Sequence, residues 1–255
     1  IKKGELLAFS KTDAGVLKRL VDKNVFVEFK METSRLGNLQ GGDIDMPQLS
    51  TVQQEALRQI NEHFETKNVV LLHGVTGSGK TMVYIEKIKE IISAGKQVVY
   101  VLPEIALTAQ IINRLRKVFG NVVGIYHSKF NQNERVEIWN KVVRNEYKVV
   151  IGARSAIFLP YKDLGLAIID EEHDNSLKQM DPAPRYHARD AAIMLAHLFN
   201  AKVILGTATP SVESYYNCER RKYGLVNLDT RYSGMELPER IAVNIREYRR
   251  KKKMQ

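Results

Sequence analysis

The sequence predicts an α/β fold: a mainly parallel sheet flanked by helices. Three observations carry this. Short, continuously apolar runs recur at 69–72, 98–102, 122–125, 149–151, 166–169, 203–205 and 225–228. Strands buried on both faces read this way, whereas half-exposed strands alternate. Stretches of helical periodicity separate most of the runs, the pattern of strand–helix–strand units. The helix expected after Lys80 shows Ile85, Ile88 and Ile92 on one face and ends before Gly95, a helix stop.

Ahead of this pattern, residues 1–36 read as a smaller unit. Thr12 or Asp13 can cap a helix running to about Lys23, with Val16, Leu17, Leu20 and Val21 as its apolar face. Val25, Val27 and Phe29 then alternate with Phe26, Glu28 and Lys30, as in a strand. One helix and a strand or two cannot bury a core, so this reads as the tail of a domain. Residues 37–48, with Gly37, Gly41, Gly42 and Pro47, read as a linker. The α/β pattern occupies 49–235.

Composition narrows the function. Of 255 residues 44% are hydrophobic, enough for a core and too many for wholesale disorder. The single cysteine, Cys218, excludes an internal disulfide or a cysteine-cluster zinc site, and reads as a packed residue rather than a nucleophile. The six histidines lack metal-ligand spacing. No apolar run approaches the roughly 18–20 residues that cross a bilayer, and no signal-peptide pattern begins at Ile1. The expectation is an excised piece of a soluble cytoplasmic protein. The net charge of +10 favours an anionic partner, nucleic acid first. Half of that excess lies at 246–255, where a solvated chain end is the simpler account. Trp139, Tyr215 and Tyr216 are expected to pack on helices, the two tyrosines against the sheet.

The apolar run at 69–72 leads into Gly74, Val75, Thr76, Gly77, Ser78, Gly79, Lys80 and Thr81, a full match to G-x-x-x-x-G-K-[ST]. Such a loop wraps backbone N–H groups around phosphates. Glycines allow the positive φ angles and close approach this needs, and the following helix turns its N-terminus to the same oxygens. Lys80 is expected at the β- and γ-phosphates of ATP and the Thr81 hydroxyl on Mg²⁺. A second apolar run, 166–169, ends in Asp170, Glu171, Glu172 and His173. This places acids at the carboxyl edge of the sheet, where ligands bind in open α/β folds. Asp170 is expected to hold the Mg²⁺ and Glu171 to polarise the attacking water.

An acidic D-E-x-H motif after such a loop resembles the second motif of superfamily-two helicases, whose ATP-binding lobe is RecA-like. G-V-T-G-S-G-K-T, P-E-I-A-L-T, Y-H-S, R-S-A-I-F-L-P, D-E-E-H-D, R-Y-H-A-R-D and G-T-A-T-P together resemble the bacterial replication-restart DNA helicases across about 47–240. The resemblance implies an ATP-dependent DNA helicase lobe moving 3′ to 5′, with 1–36 as the end of a winged-helix domain, 236–255 as the connection towards a second lobe, and the family's zinc site outside this chain. It implies partners: forked or single-stranded DNA, primosome proteins and single-stranded-DNA-binding protein. A monomer is expected, with little turnover from this lobe alone. Gln53 would read adenine. His173, a further catalytic candidate, would relay the nucleotide state with Thr207 and Thr209. Pro103, Glu104, Thr108, Arg154, Ser155, Lys178, Arg185, Tyr186 and Arg189 would meet DNA. The sequence departs from the family at Leu177, where an aromatic is usual, at Pro184, where Trp is common, and at Ala153, where Thr is usual. A translocase that never unwinds DNA, or a DNA- or primosome-binding scaffold with ATP as a structural ligand, are the alternatives.

Overall fold

All seven apolar runs become strands in the computed structural model. In chain order the strands are β1 (Val69–Gly74), β2 (Gln97–Val101), β3 (Val123–Tyr126), β4 (Val149–Gly152) and β5 (Leu164–Asp170). Two-residue strands β6 (Lys178–Gln179) and β7 (Tyr186–His187) pair antiparallel apart from the rest. Then come β8 (Lys202–Thr207) and β9 (Gly224–Leu228). The main sheet is ordered β3-β4-β2-β5-β8-β1-β9, and every pairing in it is parallel.

The structure describes residues 6, 9–10, 12–23, 25–26, 48–128 and 130–230. Of the expected strand at 25–30 the structure describes only 25 and 26, of the expected linker at 37–48 only 48, and the basic run at 246–253 lies wholly outside the described residues. The chain divides into two compact units, 1–37 and 38–255. In the first, helix α1 spans Ala14–Asp22. Asp13 caps it, its carboxylate accepting from the backbone N–H of Val16 at 3.0 Å, as its position before the apolar face predicts.

In the second unit helices cover the sheet: α2 (Thr51–Thr66), α3 (Lys80–Ser93), α4 (Ala109–Phe119), α5 (Gln132–Val143), α6 (Ala188–Leu198) and α7 (Val212–Glu219). Parallel neighbours cannot be joined by a tight turn, so crossover helices are required. One core forms where α2 and α3 press Ile60, Val83, Ile85 and Ile88 onto Val70, Leu72, Val98 and Ile168 of the sheet. Each of these side chains is fully buried. Ile92 packs at the margin of this cluster, and Gly95 follows at φ +82°, a left-handed position that stops the helix. Ile138 and Val142 are buried on α5, with Trp139 on its half-exposed flank.

The expectation for Tyr215 and Tyr216 fails. Both are about half exposed, because α7 turns Ser214, not its aromatics, inward.

Register sets up the site. Asp170 ends β5 directly beside Gly206 of β8, and His73 of β1 lies beside Thr207. The glycine-rich loop, the acids and the G-T-A-T-P segment therefore leave the same carboxyl edge.

Candidate nucleotide-binding site

The loop after β1 holds Gly77 at φ +80° and Gly79 at φ +82°. Left-handed backbone of this kind strains any residue with a Cβ. At Gly77 an added Cβ would meet nothing within 4 Å, so the backbone alone demands the glycine and the space above it is open. Gly74 is required for a different reason. A Cβ there would come within 2.8 Å of Ser78 Oγ and 2.9 Å of Leu228 Cβ. Ser78 N–H donates to Val75 O at 3.0 Å and Val75 N–H to Leu228 O at 3.2 Å, closing the turn against β9. Gly79 is the N-cap of α3 and offers no side-chain acceptor, which leaves the helix's first N–H groups for a ligand. Lys80 Nζ donates to Gly74 O at 2.8 Å.

Gln53 takes a task other than the one expected. It is 1% exposed. Its Oε1 accepts from Ser50 N at 3.0 Å, completing a capping box on α2, and its Nε2 donates to Ser78 O at 3.3 Å. The amide therefore braces the loop from behind and is not presented to the cleft.

On the opposite wall, Asp170 accepts from the phenols of Tyr84 and Tyr100, each at 3.0 Å, and from Glu171 N at 3.2 Å. Burial pushes its carboxyl above the ordinary range, with the Lys80 charge pulling the other way. Glu171 is also raised, first by burial and then by the Asp170 carboxylate. Its backbone sits at φ +50°, rare for a residue with a Cβ and costing on the order of 1–3 kcal/mol. That kink ends the strand and sends three consecutive acids in different directions. Gly206 makes room: a Cβ there would fall 1.7 Å from the Tyr84 hydroxyl and 3.0 Å from Asp170 Oδ1.

Glu172, fully buried, faces away from the cleft. It accepts from Ser211 N at 2.7 Å, Ser211 Oγ and Ser214 Oγ at 2.9 Å each, and Arg189 Nη1 at 3.1 Å. Arg189 also reaches Asp190 at 2.8 Å and Ser211 Oγ at 2.8 Å. The expectation that Arg189 meets DNA is corrected here: the residue is 9% exposed, and its Nε and Nη1 are committed to Asp190, Glu172 and Ser211 inside the fold. Pro103 is corrected too. It is buried, and its carbonyl accepts from Ala106 N at 2.9 Å, so it builds the turn after β2.

His173 turns back toward β8. Its Nδ1 is 2.7 Å from Thr207 Oγ1 and its Nε2 3.1 Å from Thr209 Oγ1, while Thr209 N–H donates to Thr207 Oγ1 at 3.0 Å. Nδ1 also lies 3.7 Å from Glu171 Oε2. Of the remaining expected residues, Glu104, Thr108, Lys178 and Arg185 are exposed, and Ser155 is half-buried. Arg154 donates to Ser176 O at 3.2 Å, and Tyr186 packs edge-on against Phe158 at 4.9 Å. Leu177, at the position where the resemblance leads one to expect an aromatic, is 1% exposed and belongs to the core. Phe158 and Ile105, exposed at the loops that leave β4 and β2, were not singled out from the sequence.

Together the loop from Thr76 to Met82, Asp170, Glu171 and Arg114 of α4 line a cleft of about 390 Å³. Gly74 and Val75 close the back of the loop and do not line it. The lining fits a nucleoside triphosphate with its divalent cation. The left-handed glycines leave open space, and Ser78 Oγ is buried without a partner among the described residues. Thr81 and Asp170 are the residues that would hold the cation, which when bound polarises the terminal phosphate. Lys80 would neutralise phosphate charge, the loop N–H groups would orient the chain of phosphates, and Glu171 would accept a proton from water. A raised carboxyl suits that last role, since a base works best with its pKa near the working pH.

Fold and site define a RecA-like, P-loop nucleotide-binding lobe with a D-E-x-H acid strand. The family model for DEAD/DEAH box helicases matches residues 50–217, and the chain belongs to that family. It is similar to the replication restart protein PriA of Bacillus subtilis, 38% identical over 97% of this chain and 31% of that protein. PriA of Chlamydia muridarum is 45% identical over 77% of this chain and 26% of that protein. PriA of Rickettsia felis is 46% identical over 76% of this chain and 29% of that protein. The chain thus spans less than a third of these relatives. Among solved structures, RecG bound to a three-way DNA junction shares the fold, with TM-score 0.53, 22% identity, and coverage of 91% of this chain and 27% of that one.

Proposed function

We propose that this chain is the ATP-binding motor lobe of a DNA helicase acting in replication restart, driving 3′-to-5′ movement on forked or single-stranded DNA. The observation that supports it best is a continuous path: Lys80, Asp170 and Glu171 share one cleft, and His173 links Glu171 to the Thr207–Thr209 segment. The names of the relatives supply the pathway. In this reading Mg²⁺ accompanies ATP, primosome proteins and single-stranded-DNA-binding protein are partners, and any zinc site lies in other parts of the protein. The whole is cytoplasmic and monomeric, and residues 1–36 close a winged-helix domain. DNA contacts run through the exposed loops around Thr108, Arg154 and Arg185, are directed at the backbone, and weaken with salt.

The test is Glu171→Gln in the full-length protein with forked DNA. Losing a general base costs about 10²–10⁴ in rate, and ATP turnover should fall by that much while nucleotide still binds. Turnover equal to the parent protein would remove Glu171 from the chemistry and with it this reading of the acid strand.

A further inference from the structure

Ten residues wall the cleft, and nine of them belong to the glycine-rich loop with its helix or to the acid strand. The exception is Arg114. It lies on α4, one residue before Leu115, which is fully buried against the sheet. That anchor fixes the helix and hence the base of the arginine. The side chain is exposed and forms no ion pair or hydrogen bond with the described residues, although two carboxylates line the same cleft. Those carboxylates are otherwise occupied: Asp170 takes two phenols, and Glu171 lies beside His173. Lys80 is drawn onto Gly74 O.

Charge makes the same point. Lys80 and Arg114 against Asp170 and Glu171 leave the walls formally neutral. A triphosphate with one divalent cation carries about two negative charges, so without Arg114 a negative wall would face a negative ligand. A guanidinium grips phosphate oxygens in a two-pronged fashion that no group of the loop supplies.

We propose that Arg114 is a phosphate-binding residue of this site, contributed by a helix outside the glycine-rich loop and the acid strand. The inference rests on the reading of the cleft as a nucleoside triphosphate site. Arg114 contacts the phosphate chain, so its contribution grows with the number of phosphates.

Calorimetric titration of the chain with Mg²⁺ and a non-hydrolysable ATP analogue, with ADP and with AMP separates the cases. The variants are Arg114→Ala, Arg114→Lys, Lys80→Ala and, as a charge control on the same helix but off the cleft, Arg116→Ala. A hydrogen bond to a charged group is lost in Arg114→Ala, so binding of the ATP analogue should weaken about 10- to 100-fold. ADP should weaken less and AMP within about twofold, with Arg114→Lys between the parent and Arg114→Ala. Arg116→Ala should bind like the parent. If Arg114→Ala binds the ATP analogue within about twofold of the parent while Lys80→Ala does not bind, the inference falls and the site stands. Equal losses in Arg114→Ala and Arg116→Ala would mean diffuse charge and also overturn it. No binding by the parent chain would remove the nucleotide site itself.

Discussion

His173 Nδ1 stands 2.7 Å from the hydroxyl of Thr207, joining the end of β5 to the end of β8 by a side chain rather than by the sheet. The other ring nitrogen reaches Thr209, so the imidazole spans both threonines of the G-T-A-T-P segment while remaining beside Glu171. One imidazole thus ties Glu171, at 3.7 Å, to two hydroxyls of a neighbouring strand's end.

This arrangement predicts that Thr207→Val separates binding from stimulation. The substitution keeps the shape and removes the hydroxyl. Nucleotide affinity of the full-length protein should stay within about threefold, because Thr207 does not line the cleft. Stimulation of ATP turnover by DNA should drop about tenfold, within the range typical of coupling between two sites. ATPase rates measured with and without a saturating oligonucleotide check it, and undiminished stimulation would make the contact a structural one.

A second prediction concerns the buried pair. Glu172 accepts from four donors of α6 and the start of α7, three at Oε2 and one at Oε1. Removing one member of a buried ion pair strands the other, at a cost of about 3–5 kcal/mol. Arg189→Met and Glu172→Gln should each lower the urea midpoint strongly, and the double variant should lose less than the sum of the two. Additive losses would show that the two groups are held independently.

The sheet was legible from the sequence because each strand is buried on both faces and so is written as an apolar run; all seven runs became strands. The loop and the first two acids were legible because their chemistry depends on residue type and spacing along the chain. What escaped depended on pairing across the fold. Arg189 reads as a free cation in R-Y-H-A-R-D, and only the distant Ser211 and Glu172 reveal it as a buried strut. Gln53 looks like a ligand reader until α2 is packed against the loop, 25 positions away in sequence. Tyr84 and Tyr100 carry no motif at all, yet they hold both oxygens of Asp170. Nothing in a helix sequence such as N-R-L-R-K marks Arg114 as facing a cleft.

The last prediction tests the packing of α7, where the sequence placed the tyrosines wrongly. Cys218 is the only thiol in the chain, half-buried, with its sulfur 3.7 Å from Gly224 O. Burial pushes this thiol up from about 9 to about 11, with Lys67 pulling weakly the other way. A raised value means that the folded state prefers the protonated form. Its contribution to stability is therefore complete below the ordinary thiol range and is lost as the pH rises through about 11. At pH 8 the reactive thiolate should be about 100-fold scarcer in the folded chain than in the unfolded one. Reaction with a disulfide reagent, followed by absorbance, should be at least tenfold slower in buffer than in concentrated urea, and should accelerate up to pH 11 rather than levelling off near 9. Equal rates in buffer and urea would mean that the packing of α7 does not shield its thiol, and the inward turn of Ser214 that displaced the two tyrosines would have to be redrawn.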